Sequence, residues 1–124
     1  MKTYLLALLS LTILLIAHVL AGNNGWYYTI YGYDIFMHIL GGLGLSFCAI
    51  AFLHYRKLNI RKYYWIAVLL VFVAGFIWEL FEAYYGIAGA PVGTKAYYID
   101  TVKDLIDDTI GAIVATFIDK KISK

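Results

Sequence analysis

The sequence predicts an all-α membrane protein, a single domain of residues 1–124 built as a bundle of four transmembrane helices with both termini in the cytoplasm. Hydrophobic residues make up 63% of the chain and charged residues only 15%, which is too apolar for a surface that faces water. Three long apolar stretches and a fourth, interrupted one are joined by short segments. Because 124 residues leave no room for a separate soluble core, we expect a multi-pass protein of a cell membrane.

Each predicted span comes near the roughly 20 residues that a helix needs to cross a bilayer. The spans cover about residues 4–21, 30–53, 63–85 and 99–118. The fourth is interrupted in its first half by Asp100, Asp104, Asp107 and Asp108. The rest of it, from Thr109 onward, would cover only about 15 Å as a helix. If this segment crosses the membrane, its aspartates therefore lie at membrane depth.

Lysine and arginine predict the orientation, because cytoplasmic loops carry an excess of them. Eight of the ten fall on one side of the predicted spans: Lys2, Arg56, Lys57, Arg61, Lys62, Lys120, Lys121 and Lys124. The other side has only Lys95, with Lys103 just inside the fourth span. Both termini are therefore predicted to be cytoplasmic, which requires a fourth crossing. This grouping explains the net charge of +2 without a nucleic-acid partner.

The first apolar stretch has a second interpretation. Lys2 precedes an apolar run that ends in Val19-Leu20-Ala21, a pattern that also suits a signal peptide. The run is long for the apolar region of a signal peptide, so we expect a retained helix. Cleavage after Ala21 would leave the orientation of the other spans unchanged.

Seven of the eight acidic residues lie in the half of the spans away from the basic segments. Most of them, with one histidine, form sets spaced three or four residues apart, so that each set shares a helix face. These sets are Asp34 with His38, Glu79 with Glu82, and Asp100 with Asp104 and Asp108. His38, Glu79 and Asp104 are predicted at one depth, roughly 5 to 10 Å below the membrane surface. We therefore expect the sets to converge into one site.

So many carboxylates cannot all be ionised close together, because like charges and burial both favour the neutral acid. A divalent cation would compensate them, and this ligand set suits Mg²⁺, Mn²⁺ or Ca²⁺, or Zn²⁺ or Fe²⁺ because of the imidazole. The expected metal ligands are Asp34, His38, Glu79, Glu82, Asp100, Asp104 and Asp108. Glu79 and Asp104 are also the candidates for a catalytic base. The alternative is the proton, with the same residues forming a relay in a transporter.

Simpler structural roles also fit some of these residues. Asp34 can cap a helix with His38 as its hydrogen-bonded partner, and Asp100 suits the positive end of a helix dipole. His18 and His54 are expected to be structural or solvated. Asp119, among the tail lysines, is predicted to be an ordinary surface charge.

Three further predictions concern the surroundings of the site. Lys103 is expected to extend to the membrane interface and not to pair with Asp104, because adjacent residues point about 100° apart on a helix. The segment Gly86–Ala96 is expected to be a connector, with a mobile lid as the alternative. Small residues, namely Gly41, Gly42, Gly44, Ser46, Ala74, Gly75, Gly111 and Ala115, are expected to allow close helix packing.

The order of the motifs resembles a family. Asp34-Ile-Phe-Met-His38, Trp78-Glu79-Leu-Phe-Glu82, Asp100-Thr-Val-Lys-Asp104 and Asp104-Leu-Ile-Asp107-Asp108-Thr-Ile-Gly111 are similar to successive motifs of the VanZ-like and YjdF-like small membrane proteins. The resemblance covers roughly residues 30–115, and Asp108 stands where the VanZ-like pattern prefers Asn. It implies a polar site on the envelope side of the membrane and does not specify a reaction.

The sequence thus favours a metal-binding membrane protein that acts on a lipid or lipid-linked substrate by hydrolysis or group transfer. A proton- or cation-coupled transporter is the alternative. Four short helices leave little room for a private pathway, so a transporter would be a homo-oligomer. A third interpretation is an accessory membrane subunit whose acids bind a partner's basic residues. The motifs of CDP-alcohol phosphotransferases and of lipid phosphatases are missing from the sequence.

Overall fold

The computed structural model describes residues 2–123, except for the side chains of residues 60 and 61. The described residues form five helices: α1 Lys2–Asn24, α2 Trp26–Thr29, α3 Tyr33–Tyr55, α4 Ile60–Tyr85 and α5 Lys95–Ile122. They contain no β-strand, so the all-α prediction is confirmed. The four long helices match the predicted spans with ends that differ by up to four residues, and the short α2 was not predicted.

Three of the helices are long and apolar enough to cross a membrane, and they cover Lys2–Asn24, Tyr33–Tyr55 and Lys62–Tyr85. Large apolar side chains point outward on all three, among them Leu8, Phe52 and Ile77. Such a surface is stable against lipid and unfavourable in water. The fourth long helix, α5, has 28 residues, but the aspartates in its first half keep it outside this class.

Polar contacts at the two ends of the molecule show how α5 runs. Near its start, Lys103 lies 3.4 Å from Asp34 at the start of α3. Near its end, Asp119 lies 3.1 Å from His54 at the end of α3. The starts of α1 and α4 meet α5 at this same end. Between Lys103 and Asp119, α5 therefore runs parallel to α3, and α1 and α4 run in the opposite direction.

Glycines bring α3 and α5 into backbone contact. A Cβ atom on Gly42 would collide with the backbone of Asp108, and a Cβ atom on Gly111 would collide with the carbonyl oxygen of Ile39. Close packing by small residues is thus confirmed at these two positions. It is not found at Gly41, where a Cβ atom would meet nothing within 4 Å.

Helix α1 is built into the same core. Ala7 of α1 is buried with Phe47 of α3 and Ala115 of α5. The hydroxyl of Tyr33 donates to the carbonyl oxygen of Ala17 at 2.8 Å and links the start of α3 to α1. The core therefore joins three helices, and the polar groups collect at its two ends.

Candidate functional site

His38 of α3 is the centre of a polar group at one end of the molecule. Its side chain is only 11% exposed. Nδ1 lies 3.2 Å from Oδ1 of Asp108, and Nε2 lies 3.6 Å from Oδ1 of Asp34 and 3.7 Å from Oδ2 of Asp104. One ring nitrogen is thus within hydrogen-bonding distance of a carboxylate. The other faces two carboxylates at distances too long for a hydrogen bond.

Lys103 of α5 joins this group. Its Nζ lies 3.0 Å from Oδ1 of Asp100, 3.3 Å from Oδ1 of Asp104 and 3.4 Å from Oδ2 of Asp34. The prediction that Lys103 does not pair with Asp104 is therefore wrong. A lysine has a flexible four-carbon chain, so its amine can reach a carboxylate even when the two residues point in different directions from the helix. We call Asp34, His38, Asp100, Lys103, Asp104 and Asp108 the His38 cluster.

Two of the carboxylates are shared between His38 and Lys103 through opposite oxygens. Asp34 presents Oδ1 to the imidazole and Oδ2 to the amine, whereas Asp104 presents Oδ2 to the imidazole and Oδ1 to the amine. One ligand atom from each of Asp34, His38 and Asp104 lies within 4.8 Å of the other two. A tetrahedral cation with bonds of about 2.0 to 2.2 Å separates its ligand atoms by roughly 3.3 to 3.6 Å. The two distances from Nε2, 3.6 and 3.7 Å, lie at and just above the upper end of this range.

Glu79 reaches the same region from α4. Its Oε2 accepts a hydrogen bond from Oγ1 of Thr101 at 2.9 Å. One turn earlier on α4, Gly75 leaves room for the carboxylate of Asp108, which a Cβ atom there would touch. Glu79 is thus placed beside the His38 cluster but outside the three residues with metal-ligand spacing. Glu82, one turn further along, is half-buried and also outside them.

Several buried carboxylates at this end lack hydrogen-bond donors. Glu79, Asp104, Asp107 and Asp108 are all buried. Among the described residues, Oε1 of Glu79, Oδ1 of Asp104 and Oδ2 of Asp107 have no hydrogen-bond partner, although Oδ1 of Asp104 is ion-paired with Lys103. Buried carboxylate oxygens without donors are costly, so this arrangement favours a cation or protons that compensate them. No role in the site was predicted for Asp107, and its position in the sequence did not indicate that its side chain is buried.

The site opens at the end of the molecule. Asp34, Asp100 and Lys103 are partly exposed, whereas the side chain of Asp104 beneath them is only 4% exposed. Gly89 in the loop before α5 lies against Asp100, where a Cβ atom would come within 2.5 Å of Oδ2. Asp34 does not cap α3, because the N-cap residue is Gly32 and no side-chain hydrogen bond caps this end of the helix. The capping role considered for Asp34 is therefore not supported.

His18 lies apart from the His38 cluster. Its Nδ1 is 2.8 Å from the hydroxyl of Tyr27 in α2. Burial raises the pKa of Tyr27 to about 12, so the phenol keeps its proton at neutral pH and can donate it. This contact agrees with the structural role expected for His18.

A second polar group lies at the opposite end of α5 and was missed in the sequence. Asp119 is 0% exposed and accepts hydrogen bonds from Oγ1 of Thr3 at 2.6 Å, the hydroxyl of Tyr64 at 2.9 Å and Nε2 of His54 at 3.1 Å. The prediction of a surface charge is wrong, because Asp119 follows Ala115 by four residues and shares its buried helix face. We call these four residues the Asp119 cluster.

No curated protein and no solved structure matches the chain. A family described as "Predicted membrane protein (DUF2238)" matches residues 2–124. The match agrees with the three apolar helices that can cross a membrane. Because it covers nearly the whole sequence, the chain belongs to this family of predicted membrane proteins.

Proposed function

We propose that this protein crosses a cell membrane several times, binds a divalent cation in the His38 cluster and acts on a lipid or lipid-linked substrate at that end. The observation that carries the proposal is the environment of His38. Asp108 lies 3.2 Å from Nδ1, and oxygens of Asp34 and Asp104 lie 3.6 and 3.7 Å from Nε2. A histidine that binds a metal through one nitrogen commonly donates its other N–H to a carboxylate.

The charge around Nε2 favours a bound cation. When Nδ1 carries the proton that Asp108 accepts, Nε2 of the neutral imidazole presents a lone pair. That lone pair faces two carboxylates, an arrangement that is repulsive unless a positive charge lies between them. Asp34, His38 and Asp104 would hold this cation. One imidazole with two carboxylates suits Zn²⁺ or Mn²⁺ better than Mg²⁺ or Ca²⁺, which prefer oxygen ligands alone.

The surrounding residues have roles that support hydrolysis or group transfer. When bound, the cation would polarise the scissile group or activate a water molecule. Asp108 would fix the orientation of His38, and Lys103 would hold the second oxygens of Asp34 and Asp104 in place. Glu79, buried with one oxygen lacking a hydrogen-bond partner among the described residues, is the candidate proton acceptor.

The proposed arrangement in the membrane has α5 as a fourth span. Its parallel course along α3 supports this, because a helix that accompanies a spanning helix from end to end crosses the same layer. Both termini are then cytoplasmic, as the lysine and arginine distribution favours. Single cysteines at Asn24, Thr94 and Ser123 can be tested with an impermeant thiol reagent on intact cells. Labelling at Asn24 and Thr94 is expected, and labelling at Ser123 alone would contradict this topology.

A proton relay is the second candidate, because a doubly protonated His38 would also place a positive charge between Asp34 and Asp104. Backbone contact between α3 and α5 at Gly42 and Gly111 closes the direct path along these two helices from this cluster toward Asp119. A transporter is therefore proposed to form its pathway between copies of the chain. The accessory-subunit interpretation predicts neither metal nor transport. The finer resemblance to VanZ-like and YjdF-like proteins remains our interpretation of the motifs.

Metal analysis of the purified protein tests the proposal. We expect about one tightly held equivalent of a divalent metal in the wild type, and its loss in His38→Ala and Asp104→Asn. The matched control is His18→Ala, which removes an imidazole that bonds Tyr27 and not the cluster. Wild-type protein that takes up no Zn²⁺, Mn²⁺, Mg²⁺ or Ca²⁺ would refute metal binding and favour the proton relay.

A further inference from the structure

A cavity lies at the end of the molecule that contains the Asp119 cluster. It has a volume of about 480 Å³ and is lined by Lys2, Thr3, Tyr4, His54, Ile122 and Ser123. These residues come from the start of α1, the end of α3 and the end of α5. The cavity is partly open to its surroundings. We call it the basic-end cavity.

The charge at this end is strongly positive. Six of the lysines and arginines whose side chains the structure describes belong to the segments that meet here, and Asp119 is the only acidic residue described in those segments. Asp119 is fully buried and accepts hydrogen bonds from three side chains, so it does not offer a free carboxylate to the cavity. Among the described residues, no exposed acid therefore competes with a ligand for the Lys2 ammonium in the basic-end cavity.

The lining combines polar and apolar groups in the way a lipid headgroup requires. Lys2 and the Ser123 hydroxyl can donate hydrogen bonds to phosphate oxygens. Tyr4 and Ile122 provide apolar walls that suit the glycerol and the upper acyl chains. Tyrosine and lysine near the end of an apolar helix are typical of the membrane–water interface. A free inorganic phosphate would make no use of the apolar walls.

We propose that the basic-end cavity binds the phosphate headgroup of an anionic phospholipid. Basic pockets between membrane helices bind such headgroups through the positive charge of lysine and arginine. The assignment is independent of the metal proposed for the His38 cluster, because the two regions lie at opposite ends of α5. The bound lipid would link α1 to α3 and α5 at the basic end.

Native mass spectrometry of the full chain tests this inference. The protein is titrated with phosphatidylglycerol and, separately, with phosphatidylcholine of the same acyl chains. We expect one retained phosphatidylglycerol and at least fivefold weaker retention of phosphatidylcholine. The Lys2→Gln variant should weaken the retained phosphatidylglycerol about fivefold, the equivalent of the roughly 1 kcal/mol that one lysine contributes near an anionic surface.

The matched control is Lys120→Gln, because Lys120 is an exposed lysine at the same end that does not line the cavity. The variants are also compared by exchange of lipid between vesicles and the protein in 1 M salt. This salt screens the general attraction between basic residues and anionic lipid, since the Debye length is then about 3 Å. Under that condition only Lys2→Gln should reduce retention. If Lys2→Gln inserts poorly, Ser123→Trp fills the cavity without a change of charge and should also reduce retention. Equal retention of the two lipids, equal effects of both lysine variants, or displacement by millimolar inorganic phosphate would overturn the assignment.

Discussion

Buried carboxylates at the two ends of α5 differ in how many hydrogen-bond donors surround them. At one end, Asp119 is fully buried and receives hydrogen bonds from side chains on α1, α3 and α4. At the other, four acids are buried, and an oxygen on each of Glu79, Asp104 and Asp107 lacks a hydrogen-bond partner among the described residues. The carboxylate at one end thus has hydrogen-bond donors for its oxygens, whereas the carboxylates at the other end have too few.

This difference separates a structural carboxylate from a candidate ligand. A buried acid whose oxygens are all paired stabilises the helices that donate to it and has no capacity left for a further partner. Acids that share one lysine and one histidine keep unused oxygens, and these can coordinate a cation or hold a proton. Burial alone does not distinguish the two ends, whereas the number of donors around each carboxylate does.

Replacing Asp119 should have the largest effect on stability. In Asp119→Asn the amide brings two N–H donors next to three donor side chains, so hydrogen bonds are lost and donors oppose each other. We expect the free energy of unfolding to fall by about 2 to 4 kcal/mol. Asp100→Asn, at a partly exposed position, should cost less than about 1 kcal/mol. Thermal unfolding in detergent measures both, and equal melting temperatures would contradict a structural role for Asp119.

The glycine contact between the two ends offers a test with neighbouring positions. Gly42→Ala places a methyl group against the backbone of Asp108, whereas Gly41→Ala places one in open space. We expect a loss of about 1 to 3 kcal/mol for Gly42→Ala and a change near zero for Gly41→Ala. Thermal unfolding of the pair measures this difference. A harmless Gly42→Ala would show that α3 and α5 are farther apart than described.

Removing the Asp108 carboxylate should lower metal affinity more than it lowers the stability of the fold. Asp108→Ala takes away the acceptor for Nδ1 of His38 and should lower metal affinity by about 10- to 100-fold, as expected for an outer partner of a metal ligand. Asp108→Asn keeps an acceptor oxygen and should lose less. Isothermal titration with Zn²⁺ and Mn²⁺ compares them. Unchanged affinity in Asp108→Ala would remove the main support for metal binding at His38.

Lys103→Met should have the smallest effect on stability. The Lys103 side chain is 38% exposed and its partners Asp34 and Asp100 are partly exposed, so these two ion pairs are screened by water. The third partner, Asp104, is buried and can take up a proton when the amine is removed, which limits the loss. We expect a loss below about 1 kcal/mol, which should shrink further in high salt. Unfolding at two salt concentrations measures it. A loss as large as that of Asp119→Asn would show that Lys103, and not a bound ligand, holds the His38 cluster together.

The proximity of Asp34, His38 and Asp104 was predictable from local rules. Asp34 and His38 are one turn apart on one helix face, and the distance of His38 from the helix end placed it at the depth of Asp104. The contact of Glu79 with Thr101 was not predictable, because Thr101 carries no charge or periodic signal that distinguishes it from other small polar residues. The role of Gly75 as space for Asp108 likewise depends on where α4 crosses α5.

The sequence by itself determined the long helices, the apolar surface suited to lipid and the helix faces on which the acids lie. These properties depend on composition and on the 3.6-residue period of the helix, which are local. Only the tertiary structure decided that Lys103 reaches Asp104 and that Asp119 collects donors from residues as far away as Thr3, 116 positions earlier. Such contacts depend on the rotation of each helix about its axis and on the reach of its side chains. Packing of the whole core fixes both, and no short segment of the sequence contains that information.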